Sequence, residues 1–239
     1  MKIAKDLVGA ASSEEFLSSI RAIDLSVAAR TEGRTTDQTE IYTACHLLAT
    51  LAHISALEFP VRVTHRDKPD FELRSGDRMI GIEVTEGIST DYARYCALAE
   101  QEFPGVPLDP DYFRHGQPKI SLKKLRELLS RSQSLAKPWM GDRPEKEWAL
   151  YMRDALEEKL KKLASPKFDK FEENWLSIYD NLPLTGVHLQ EAVTNLMPFL
   201  AEHWTRDPHF DVIFIERGPV IARITSAGST HLLLHDLWD

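Results

Sequence analysis

The first periodic stretch, SSEEFLSSIRAIDLSVAAR, sets apolar residues at helical spacing behind Ser12, with Glu15 three residues on as a capping-box partner. GRTTDQTE interrupts the pattern. TEIYTACHLLATLAHISALEF then predicts a long, mostly apolar helix stopped by Pro60, its few polar positions being Glu40, His46, His53 and Glu58. Strand-like sequence runs from Val61 to Arg74 and from Met79 to Glu86. STDYARYCALAEQEF returns to helical spacing, residues 104–118 are a loop rich in Pro, Gly and Asp, and KISLKKLRELLSRSQSLAKP is a short basic stretch. After the turn WMGDRP, EKEWALYMRDALEEKLKKLASP predicts an amphipathic helix with Trp148, Tyr151, Leu156, Leu160 and Leu163 on its apolar face. NWLSIYDNLPL and FDVIFIERG are short apolar runs bounded by turn residues, as buried strands are. Between them LQEAVTNLMPFLAEHW reads as a helix kinked at Pro198, and PVIARITSAGSTHLLLHDLWD closes the chain with one or two strands. This order predicts an α/β fold with a mixed central sheet flanked by helices. One domain then spans residues 1–239, with residues 1–36 as an N-terminal helical extension and 104–145 as a loop and basic helical insertion.

Composition changes this picture little. Hydrophobic residues make up 43% and charged residues 28% of the 239, which fits an ordinary globular chain. The net charge of −8 argues against coating nucleic acid through bulk charge, although a local basic groove stays compatible with it. Residues 119–137 hold six Lys or Arg against one Glu, so such a groove has a source. Cys45 and Cys96 stand far apart in apolar helical contexts and read as buried free thiols. No run approaches a membrane span and the first residues lack a signal-peptide core, so a soluble cytoplasmic protein is expected.

RDKPDFELRSGDRMIGIEVTEG concentrates the chemistry. Side chains alternate between faces along a strand, so Ile80, Ile82 and Val84 share one face and Glu83 and Thr85 the other. Phe71 and Leu73 likewise oppose Asp70 and Glu72. With Gly76 and Asp77 central in the turn, glycine supplies the positive φ of a tight hairpin. Phe71 then faces Ile82, Leu73 faces Ile80, and Asp70 faces Glu83. Facing β-carbons lie about 4.5–5.5 Å apart, where two carboxylates repel unless a cation stands between them. An Asp and a Glu with backbone carbonyls and water suit Mg²⁺ or Mn²⁺. The competing reading is a solvated strand face whose acids keep an edge soluble.

These residues resemble a family. Pro69–Asp70, twelve intervening residues and then Glu83-Val84-Thr85 after an apolar Gly-Ile are similar to the core of the PD-(D/E)XK, or restriction-endonuclease-like, nucleases. The resemblance implies a restriction-endonuclease-like core, a first acid at Glu40 on the preceding helix, a second at Asp70 and a third at Glu83. It implies Mg²⁺ or Mn²⁺ as cofactor, held by Asp70, Glu83 and Glu40, and DNA as substrate. A mobile-element or phage-defence setting follows from the family alone and leaves a homodimer or a larger assembly open. The family's lysine would stand two residues after Glu83, where this chain has Thr85. Either the cation comes from elsewhere or the fold is a catalytically degenerate nuclease used as a nucleic-acid or protein binding module.

Lys159 and, second, Lys162 are the replacements, three apart on one face of the amphipathic helix and before the strand at Trp175. The same EEKLKK run also fits a plain solvated helix surface. Thr85 is left to hydrogen-bond a water or a ligand carboxylate. Lys119, Lys123, Lys124 and Arg126 are the expected contacts to the DNA backbone, against the alternative of a solvated helix face. His46 and His53, seven apart, and His231 and His235, four apart, lack a further ligand at useful spacing for zinc. Trp175, Tyr179 and Phe214 read as sheet core, not a base-stacking platform.

Overall fold

The computed structural model describes residues 4–106, 112–131 and 141–238. Its frame is one sheet of eight strands, lying side by side in chain order. β1 (Lys5–Ala10), β2 (Val61–His65), β3 (Phe71–Ser75) and β4 (Arg78–Gly87) form an antiparallel meander. β5 (Glu173–Asp180) and β6 (Val212–Arg217) are each parallel to the strand before them, and β7 (Val220–Thr225) and β8 (Gly228–Leu233) are antiparallel again. The sheet is therefore mixed, and the two parallel pairs require helical crossovers.

α1 (Ser13–Arg21) and α2 (Thr36–His53) cover one face. α5 (Arg143–Leu163) and α6 (Leu189–His203) cover the other. Both crossovers so place helices against the sheet, and each fully buried Leu, Ile or Phe contributes about 1.5–3 kcal/mol. α2 is a core helix, buried continuously from Thr43 to Ala52. α3 (Thr90–Glu102) and α4 (Leu122–Ser130) build a satellite cluster in which Tyr95 and Leu98 share a small core with Leu125 and Leu129.

Several boundaries differ from the expectation. Residues 1–36 are not only helical, because β1 extends the sheet edge beside β2. Its six residues carry too short an alternation to stand out in sequence. α1 stops at Arg21, well before Arg30. α2 begins earlier, inside GRTTDQTE, because Thr35 and Gln38 close a capping box there. It ends at His53 and not at Pro60. Ser55 turns left-handed at φ 58°, and the Ala56 amide donates to the Leu51 carbonyl at 2.8 Å, a Schellman-type stop. Val61 to Arg74 splits into β2 and β3, because the chain turns at residues 66–70. α6 runs through Pro198 without a break in the helix. The hairpin register is as read: Phe71 pairs with Ile82 and Leu73 with Ile80, and Gly76 sits at φ 57°. Among the described residues no helix is long and apolar enough to cross a membrane.

Candidate metal centre and its cleft

The hairpin, α2 and α5 meet at the carboxyl ends of β4 and β5, the usual place for a crevice beside parallel strands. A cleft of about 610 Å³ opens there. Glu40 and Asp70 line it from α2 and the hairpin, and Lys159 and Lys162 line it from α5.

The β3–β4 ladder ends at the Phe71–Ile82 pair, so β4 runs on without a strand partner on that side. Site side chains take over. The Val84 amide donates to Asp70 Oδ2 at 2.7 Å, and the Val84 carbonyl accepts from Lys159 Nζ at 2.6 Å. The expected pairing of Asp70 across from Glu83 is not part of the ladder, which stops one pair short, and the Asp70 carboxylate is held by the Val84 amide, one residue beyond Glu83.

Glu83 lies on the α5 face of the sheet and is 3% exposed. Lys159 Nζ donates to its Oε1 at 2.6 Å, and Lys162 Nζ stands 3.8 Å from the same oxygen. Lys159 is buried whereas the Lys162 side chain is half exposed, so the two lysines, one turn apart, occupy different environments. Thr85 lines the cleft. Asp70 from the turn before β3, Glu83 from β4 and Lys159 from α5 therefore converge, and the cation lies 76 residues beyond its acid.

Electrostatics follow from burial. The Asp70 carboxyl is pushed up to about 7, first by desolvation and then by the charges of Glu83 and Glu40, against the opposing pull of Lys159. Burial alone would lower Lys159, but Glu83 and Asp70 outweigh it and hold the ammonium above its ordinary value. The corner so holds more negative charge than its one buried ammonium offsets. Glu83 Oε2 is buried without a hydrogen-bond partner. An unpartnered oxygen beside a carboxylate that resists ionisation fits a hard divalent cation.

Glu40 does not join Asp70 and Glu83 as the expected third ligand of one tight set. Its Oε2 contacts His65 Nε2 at 2.8 Å, and Asp37, Glu40 and His65 offer atoms all within 4.8 Å of one another. α2 carries Asp37 and Glu40 one turn apart, and the end of β2 presents His65 to them. Sequence reasoning missed Asp37 and His65. The three-residue spacing of Asp37 and Glu40 was the available signal, but His65 is adjacent only through the fold.

The described residues of the basic stretch do not line this cleft. Lys119 borders a separate cavity with Asp91, His115 and Asp154. Lys124 pairs with Glu127 at 3.2 Å and Arg126 with Glu102 at 2.7 Å. Lys123 belongs to the exposed side of α4, whose Leu125 and Leu129 face α3. Lys137 lies outside the described residues. The cleft instead takes cations from the turn before α2, where Arg30 and Arg34 contact Glu86.

Of the histidines weighed for zinc, His46 Nδ1 contacts Glu216 Oε1 at 2.9 Å, and His53 stacks on His235 with ring centroids 3.8 Å apart. Trp175 and Phe214 are core residues as expected, but Tyr179 is not: it lines the cleft with Tyr42. Comparison with protein-family models, with curated proteins and with solved structures finds no match.

Proposed function

We propose that this chain is a divalent-metal-dependent nuclease with a restriction-endonuclease-like core, acting on DNA, in which Lys159 stands in for the motif lysine. The observation that carries the reading is the contact of Lys159 Nζ with Glu83 Oε1 at 2.6 Å, beside Asp70. It supplies from α5 the cation that Thr85 cannot. A Mg²⁺ or Mn²⁺ ion held by Asp70 and Glu83 would lower the pKa of a water and polarise a phosphodiester.

The chain's own groups do the rest. Lys159 offers its one remaining N–H donor to a non-bridging phosphate oxygen and offsets the charge that builds there. Glu83 and the Val84 carbonyl hold its ammonium in place, so little reorganisation is needed. Lys162, half exposed at the cleft, contributes charge to the incoming phosphate. Asp37, Glu40 and His65 provide a second set of oxygen and nitrogen donors on the α2 side. Thr85 presents a hydroxyl beside the acids.

The test is cleavage of supercoiled, linear and single-stranded DNA in Mg²⁺ or Mn²⁺. Wild type runs beside Asp70→Ala, Glu83→Ala and Lys159→Ala, each checked for its melting temperature. Both acid variants are expected to lose activity by about 100-fold or more, as is Lys159→Ala, with partial recovery in Lys159→Arg. Cleavage that survives Glu83→Ala would overturn the reading. A wild type that binds DNA and cuts none of the substrates would replace it with a degenerate nuclease fold used for binding.

A further inference from the structure

The α2 side of the cleft holds a second group of residues that the acidic corner does not use. Arg30 Nη2 and Arg34 Nη2 lie 2.8 and 3.2 Å from Glu86 Oε1. The Asn181 side-chain amide donates to the same oxygen at 2.5 Å. One carboxylate cannot neutralise two guanidiniums. A guanidinium has five N–H donors, and the Glu86 contacts use Nη2 of each arginine. Glu86 so acts as an anchor that holds a forked, positively charged surface at the cleft wall. Lys159 and Lys162 face Glu83 and Asp70 in the acidic corner, so the positive surplus lies on the other wall, where Arg30 and Arg34 share Glu86, in a chain of net charge −8.

Two aromatic rings stand beside this fork. Glu86 pairs in register with Tyr179 on the neighbouring parallel strand. Tyr179 meets Tyr42 of α2 edge to face, with ring centroids 5.6 Å apart and planes at 82°. Both line the cleft and neither is fully buried. A volume of about 610 Å³ is that of a small-molecule site. It has room for a nucleotide or two.

We propose that this wall is a subsite for an unpaired nucleotide of single-stranded DNA. Arg30 and Arg34 take the phosphate next to the one that is cut, and Tyr42 and Tyr179 take its base. The proposal rests on the nuclease reading for its orientation in the cleft, but binding can be measured without cleavage. Arginine suits the phosphate through its planar fork, and an aromatic face accepts any base. The preferred substrate is then a single strand or a frayed end, bound without sequence preference.

The experiment is fluorescence polarisation in EDTA with a labelled single strand, the same sequence as a duplex, and the same backbone carrying abasic sites. Wild type should bind the single strand about tenfold tighter than the duplex, and the abasic strand about tenfold weaker. Arg34→Ala should lose about tenfold or more on every ligand, with Arg34→Lys between it and wild type. Tyr179→Leu should bind base-bearing and abasic strands alike. The double variant Lys124→Ala/Arg126→Ala should bind as wild type does. A duplex bound as tightly as the single strand, or an abasic strand bound as tightly as the complete one, would overturn the subsite. So would affinity lost in the Lys124/Arg126 variant and retained in Arg34→Ala. This binding pattern without cleavage in Mg²⁺ or Mn²⁺ would refute the nuclease reading and leave the subsite standing, whereas cleavage without it would do the reverse.

Discussion

At the scale of single residues, the site turns on how Asp70 is held. Its carboxyl lies at about 7, because burial and the neighbouring charges of Glu83 and Glu40 resist ionisation. A folded pKa raised above the ordinary aspartate value of about 3.9 contributes stability that is complete at low pH and is lost as pH rises through about 7. Asp70→Asn keeps an acceptor for the Val84 amide and removes the ionisation. In EDTA the variant should melt close to wild type near pH 4 and about 4 °C or more above it near pH 8. Equal melting temperatures across that range, read by thermal unfolding, would contradict this account of the corner. Asp70 and Glu83 were legible in the sequence because strand alternation and a glycine turn fix the register of a hairpin. Lys159 was legible only as one of two lysines on a helix face. Nothing in EEKLKK marks which of them is buried. Asp37, His65, Arg30 and Arg34 were not read at all. Arg30 and Arg34 meet Glu86 across 56 and 52 residues of chain, and local patterns carry no information about contacts of that span.

At the scale of elements, the hairpin is locked against the segment that precedes β5. A β-carbon added at Gly81 would lie 2.7 Å from Phe171 Cδ2 and 2.9 Å from Pro69 Cγ. Both neighbours are stiff, and Pro69 adjoins Asp70. Gly81→Ala should therefore cost about 1–3 kcal/mol in denaturant unfolding and shift the Asp70 corner with it. Gly87→Ala meets chiefly the flexible Met152 Cε at 2.7 Å and should cost less. The reverse ranking of the two variants would mean that the strand, not Phe171 and Pro69, absorbs the strain. Long helical periodicity makes α2, α5 and α6 legible in the sequence, and apolar runs bounded by turn residues do the same for β5 and β6. Boundaries were read less well because they depend on caps and turns. The Thr35 and Gln38 capping box starts α2 inside a stretch that looked like a break, and the left-handed Ser55 ends it early.

At the scale of the whole molecule, eight strands in chain order make a simple frame, with α2 in the β1–β2 connection and α5 in the crossover from β4 to β5. α2 and α5 lie on opposite faces of the sheet and approach each other at the end of β4, and the cleft is the gap between them. That arrangement brings Arg30 and Arg34 together on one wall in a chain of net charge −8. The cations gather where two helices and one turn converge, while the basic face of α4 is spent on its own salt bridges with Glu127 and Glu102. Composition pointed to residues 119–137 as the source of a basic groove, whereas the cations that line this cleft are Arg30, Arg34, Lys159 and Lys162.

Under the proposed function, Asp70 and Glu83 hold a divalent cation against Lys159. The most direct test is Mn²⁺ binding followed by electron paramagnetic resonance, with wild type beside Glu83→Gln and Asp70→Asn at a pH near 8. Wild type should bind Mn²⁺, Mg²⁺ should displace it, and each folded variant should lose affinity by about tenfold or more. Binding unchanged in both variants would contradict the account and move the metal, if any, to Asp37, Glu40 and His65.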